Sequence, residues 1–200
     1  MKMLGKNARP GDLFYIPACR ETDQQGFVIA RLIENVPGNL GYLVEVFENF
    51  YVTLPSSRED VDIRNRLFKP VLCSFRFSEV PKWRVLFSDP DYDRTQSGYD
   101  AIKFLFHSSL WVGGKEIAKS QLGGSLSRIE EAVCWRTLHL IFRVNAHLAG
   151  VLGADDPYDH DRLPSDLRED NPAAIARVIS LAHAMDEKFK VWAAETKKKR

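Results

Sequence analysis

The feature that most constrains this chain is a change in hydrophobic period at the glycine pair Gly123-Gly124. Before it, short apolar runs alternate between turn residues; after it, apolar residues recur every three or four positions. A period of two presents successive side chains to opposite faces of a strand, whereas a period near 3.6 stacks them on one face of a helix. The expected class is therefore α+β. An antiparallel β-sheet or small SH3-like barrel is expected over residues 10–114, followed by a helical hairpin over residues 125–195 that packs on it or on itself.

In the first part, Leu13-Phe14-Tyr15-Ile16 lies between Gly11-Asp12 and Pro17, and residues 27–33 follow a polar stretch at 21–26, which predicts a hairpin. Pro37-Gly38-Asn39 is a turn signal, and residues 41–47 after it are β-branched and aromatic, with 50–54 continuing the meander. Residues 71–77 and 83–87 each follow a proline and alternate as half-buried strands. Residues 102–106 and 110–112 add a further strand or hairpin, and Gly113-Gly114 is read as a turn closing the β region, with Gly123-Gly124 as linker.

In the second part, Ser127-Arg128-Ile129-Glu130 has the spacing of a capping box, which predicts a helix from Arg128 with Ile129, Val133, Leu140, Ile141, Val144 and Leu148 on one face and Gly150 as its C′ residue. Asn171-Pro172 reads as N-cap and N1 of a last helix whose stripe is Ile175, Val178, Ile179, Ala182, Met185, Phe189 and Trp192. Between them, residues 153–171 carry seven acidic residues against Arg162 and Arg168, as an exposed loop with room for one helical turn.

Charge and cysteine content narrow the function. Twenty-eight lysines and arginines against 27 acidic residues leave a formal net charge of +1, which disfavours nucleic-acid binding by a whole-molecule field. Cys19, Cys73 and Cys134 are odd in number, with no metal-knuckle spacing, so a reducing compartment is expected. No run approaches the roughly 18 apolar residues of a membrane span, and the first ten residues lack a secretory core, so cytoplasmic residence without membrane contact is expected.

The search for chemistry finds weak signals. Asp155-Asp156-Pro157-Tyr158-Asp159-His160-Asp161 has hard-cation donors but neither the ligand order nor the central glycine of a calcium loop, so it is read as a partner-facing acidic patch. His139 and His147 lack the glutamate of a zinc-protease helix, and Cys134 sits in an apolar stretch. The two glycine pairs lack P-loop spacing, and the basic tail at 197–200 reads as a solubilising terminus. No catalytic residue, metal or cofactor is expected, and the chain is not expected to be an enzyme. The candidate partner-binding residues are Asp155, Asp156, Asp159, Asp161, Tyr158 and, in the polar break at 88–93, Tyr92. The strand-rich part also holds Phe14, Tyr15, Phe27, Tyr42, Phe47, Phe50, Tyr51, Phe75, Phe77, Trp83 and Phe87, too many for one face of a small sheet, so some are expected to be exposed as partner contacts unless the helices cover them.

Read in order, Pro10-Gly11-Asp12-Leu13-Phe14-Tyr15-Ile16-Pro17, Gln25-Gly26-Phe27-Val28-Ile29-Ala30-Arg31, Gly41-Tyr42-Leu43-Val44-Glu45-Val46-Phe47 and Lys82-Trp83-Arg84-Val85 resemble the immunity protein 26 family of bacterial polymorphic-toxin systems. The resemblance covers roughly residues 9–115 and leaves the helical part outside it. It implies a small, mostly β, cytoplasmic protein that binds and neutralises a cognate toxin domain, a task that requires surface complementarity rather than an active site. Two other classes are weighed beside it: a nucleic-acid-binding or regulatory module using Arg31, Arg76 and Arg84, and a metal-assisted hydrolase using the acidic connector.

Overall fold

The computed structural model describes residues 2–5, 7–20, 24–36, 40–75, 79–121 and 126–198, with the side chains of 196–198 excepted. The α+β class is as expected. Strands β1 (Asp12–Arg20), β2 (Gln24–Val36) and β3 (Gly41–Tyr51) form an antiparallel meander, and β4 (Val71–Ser74) and β5 (Val85–Ser88) extend it at either side. A smaller sheet holds β6 (Lys103–Leu105), β7 (Ser109–Val112) and β8 (Lys115–Ala118). Two late strands, β9 (Glu130–Glu131) and β10 (Cys134–Arg136), then join the two sheets, β9 parallel to β6 and β10 parallel to β4. The orders are β10-β4-β3-β2-β1-β5 and β8-β7-β6-β9, so both sheets are open and mixed rather than a closed antiparallel barrel.

The expected helix from Arg128 is corrected. Residues 130–131 and 134–136 are strands, and α1 (Thr137–Leu148) begins nine residues later than predicted. The reason lies in Glu130: its carboxylate pairs with buried Arg143 instead of reaching back to cap a helix. Gly113-Gly114 is likewise a turn inside the β7–β8 hairpin, not the end of the β region; both residues have positive φ, and Gly113 sits against the Asp100 backbone, where a Cβ has no room. Gly123-Gly124, the polar turn at 21–23, Pro37-Gly38-Asn39, Arg76, Phe77 and the last two residues of the basic tail lie outside the described residues.

The end of α1 and the start of α2 follow the sequence. Gly150 adopts φ 71° and closes α1, with its N–H donating to the His147 carbonyl and that of Val151 to Ala146. The Asn171 side chain accepts from Ala173 N (2.9 Å) and Ala174 N (3.3 Å) to start α2 (Pro172–Lys198). Along α2, Val178, Leu181, Ala182, Met185 and Phe189 are buried, each large apolar side chain contributing on the order of 2 kcal/mol. The helix packs on β1 and on α1, with the Phe189 ring stacked on Tyr15.

Strand β1 is buried from Leu13 through Ala18 on both faces, which explains its continuous apolar run. One core joins both parts of the chain, from Phe14 and Val28 to Leu140 and Phe189; a second, around Leu43, Phe104 and Trp111, fills the space between the two sheets. Of the strand-region aromatic residues, Phe14, Tyr15, Phe27, Tyr42, Phe47, Phe75 and Trp83 are buried, Tyr15 and Phe27 against Phe189 of α2, while Phe50, Tyr51 and Phe87 are half-buried. Among the described residues, no helix is long and apolar enough to cross a membrane.

Candidate functional site

Two buried arginines organise the polar chemistry of the molecule. The first, Arg31 on β2, stands directly opposite Glu45 on β3, and its Nε donates to Glu45 Oε1 at 2.7 Å. Glu45, 1% exposed, also accepts from Arg66 Nε (2.7 Å) and from the Ser97 hydroxyl (2.6 Å). Tyr92 closes this network, its hydroxyl 2.6 Å from Ser97 Oγ and its ring 4.7 Å from the Arg31 guanidinium carbon. Burial raises the Tyr92 pKa, so the phenol stays neutral.

The second, Arg143 on α1, is fully buried and chelates Glu130 on β9. Its guanidinium lies against Phe68 (4.6 Å), Trp135 (5.0 Å) and Tyr158 (5.9 Å). A desolvated cation over aromatic faces gains electrostatic stabilisation from the ring quadrupoles. One turn along α1, His147 packs on Phe68 at 4.7 Å; burial, with Arg143 second, holds its pKa down to about 3, so it is neutral.

Three residues around Arg143, namely Glu130, Trp135 and Tyr158, line a cleft of about 510 Å³. Its apolar surface comes from Leu126, Ile129, Val133, Trp135, Pro157 and Tyr158, with Val133 49% exposed. Glu130, Glu131 and Glu169 also line it. The Tyr158 hydroxyl donates to Glu169 Oε2 at 2.7 Å; burial first and Glu169 second keep the phenol un-ionised. Cys134 and His139 line the same cleft, but burial raises the Cys134 thiol pKa, the opposite of what a thiolate nucleophile requires.

The residues singled out in sequence divide between places. Tyr158 lines the cleft, whereas Tyr92 belongs to the Arg31 network. The connector is more ordered than an open loop: short 3₁₀ turns occupy His160–Arg162 and Ser165–Leu167, and Leu163 is buried beside Leu152 and Ala146. Two aspartates are spent on this order. Asp156 accepts from Gly153 N and Arg162, which lowers its pKa, and Asp159 accepts from Asp161 N. Asp155 and Asp161 face solvent, with side chains 85% and 99% exposed. No group of three or more His, Cys, Asp or Glu side chains among the described residues is placed to hold a metal ion.

Of the arginines weighed for nucleic-acid contact, Arg31 is held by Glu45 and Arg84 by Asp186 at 2.8 Å, both inside the fold. Glu131, Val133, Trp135 and Glu169 were not singled out in sequence. Their association depends on β9 and β10 pairing with strands some 25 and 60 residues earlier, for which local patterning holds no signal.

No family model, curated protein or solved structure matches the chain.

Proposed function

We propose that this chain is an immunity protein, resident in the cytoplasm of a bacterium, that neutralises a cognate toxin by seating a basic, apolar-centred patch of the toxin domain in the cleft between β9–β10 and the 153–171 connector. The observation that carries the reading is the chemistry of that cleft: an apolar centre of exposed Val133 and half-buried Ile129 with carboxylates from Glu131 and Glu169 beside it. An apolar centre within a charged surround is how specific protein interfaces are built, the centre supplying affinity and the surround register and association rate. The toxin class is set by charge. A nuclease domain presents a basic cleft for phosphate, and carboxylates such as Glu131, Asp155 and Asp161 take the place of that phosphate. The resemblance of residues 9–115 to the immunity protein 26 family points the same way.

Titration calorimetry against the toxin domain recovered with the tagged chain from its native cells tests the reading. With Glu131→Lys and Val133→Arg introduced together, binding weakens by at least about a hundredfold, as for loss of a central contact and its neighbouring charge. Asp155→Lys with Asp161→Lys slows association at low salt and leaves dissociation almost unchanged. Unaltered affinity in the Glu131/Val133 variant would place the interface elsewhere and remove the support the cleft gives.

A further inference from the structure

Next to the acidic cleft, with Ile129 and Glu130 common to both, lies a second pocket of about 290 Å³ with an excess of basic residues. We propose that it binds a small phosphate-bearing molecule, gripped by Arg66, Lys69, Lys103 and Arg128 with Ile102 and Ile129 as apolar walls. It shares Ile129 and Glu130 with the acidic cleft but does not rest on the toxin-binding reading, because Lys103 and Arg128 belong to this pocket alone.

Two of the four cations are held in place before any ligand arrives. Lys69 Nζ donates to the carbonyls of Arg128 (2.8 Å) and Asp155 (2.7 Å), which leaves one of its three N–H groups. Arg66 is fixed through Nε to Glu45 and through Nη2 to the Ser97 carbonyl (2.6 Å), with Nη1 in neither of these bonds. Anchored donors of this kind lose little entropy when an anion arrives.

The local charge is in excess although the whole molecule is nearly neutral. Glu45 serves both Arg31 and Arg66, so that buried cluster keeps one uncompensated positive charge. Glu130, the acidic residue of the pocket lining, is already neutralised by Arg143. Lys103 and Arg128 are exposed and pair with no carboxylate among the described residues, and Lys69 has only Asp155 at 3.8 Å. Convergent donors with net positive charge and two branched apolar walls suit a phosphate group carrying a compact organic part. The volume is at the small end for ligand pockets, which excludes large dinucleotides.

The test is calorimetry on the full chain with inorganic phosphate, pyrophosphate and adenosine monophosphate as separate probes, repeated with Lys103→Ala and Arg128→Ala together. Both side chains are exposed, so that variant folds as the parent does. The expected result is one site per chain with Kd below about 1 mM for at least one probe, weakened about tenfold or more in the double variant. Equal affinity for phosphate and the nucleotide assigns the pocket to the phosphate group alone; tighter nucleotide binding adds a role for Ile102 and Ile129. Failure of all three probes to bind below that concentration, or binding that the double variant leaves unchanged, overturns the proposal.

Discussion

The Arg31 and Arg143 sites are both buried arginine–glutamate pairs, yet they are satisfied in different ways. Around Arg31 the partners are hydrogen-bonding groups: Glu45, Ser97, Tyr92 and Arg66 are joined by contacts of 2.6–3.2 Å, and the pair ties β2 to β3 inside one hairpin. Around Arg143 the partners are mostly rings, and among the described residues Arg143 Nε and Trp135 Nε1 are buried without a hydrogen-bond partner. A fully connected polar network fixes one geometry, because each alternative leaves a buried donor or acceptor unpaired. Aromatic faces are less directional. The comparison places rigidity in the meander and adaptability under the acidic cleft, where a partner is proposed to dock.

The largest expected effect breaks the Arg31 side. Glu45→Ala leaves Arg31 buried and unpaired, and a loss of about 3–5 kcal/mol is expected in chemical denaturation, enough to unfold a marginal domain. On the Arg143 side, Glu130→Leu alone is expected to cost a similar 3 kcal/mol or so, whereas Glu130→Leu with Arg143→Met regains most of it, since the ring cage accepts a thioether. The corresponding double replacement of Arg31 and Glu45 is expected not to recover, because Arg66, Ser97 and Tyr92 lose their partners. Equal recovery at both sites would erase the distinction.

The third effect is a pH dependence confined to the helical side. His147 has a folded pKa of about 3 against an ordinary 6.5, so between those values the unfolded chain binds a proton that the fold excludes. Stability is therefore complete above pH 6.5 and falls as pH drops toward 3. Between pH 7 and pH 5 the loss is about 2 kcal/mol, and His147→Phe removes that slope. Carboxylates with lowered pKa, such as Asp156 and Asp186, titrate below this window and do not mask it. A smaller effect concerns the N-cap: Asn171→Ala is expected to cost about 1 kcal/mol in thermal unfolding, without changing the His147 slope.

The sequence is most legible where structure is local. The β1–β2 hairpin, β3 and the Asn171-Pro172 start of α2 follow from turn chemistry, alternation and capping. The start of α1 misleads because Ser127 and Glu130 have capping-box spacing, and the competing partner of Glu130 is thirteen residues away on the helix itself. The candidate site is less legible still. Tyr158 stands out in the connector, but the cleft beneath it depends on Arg143, which reads as an ordinary polar helix position until Phe68, Trp135 and Tyr158 are brought around it from three separate segments. Asp156 and Asp159 look the same in sequence as Asp155 and Asp161; only the backbone hydrogen bonds of the connector separate the aspartates that build it from those left for a partner.

The most direct test of the immunity reading is protection in living cells. The toxin domain recovered with the tagged chain from its native cells is expressed in a susceptible bacterium together with either the parent chain or the Glu131→Lys, Val133→Arg variant, and viable colonies are counted. The parent chain is predicted to restore growth and the variant, folded and equally abundant, to fail. Growth arrest with both chains would contradict toxin neutralisation itself, and rescue by both would contradict the cleft as the surface that performs it.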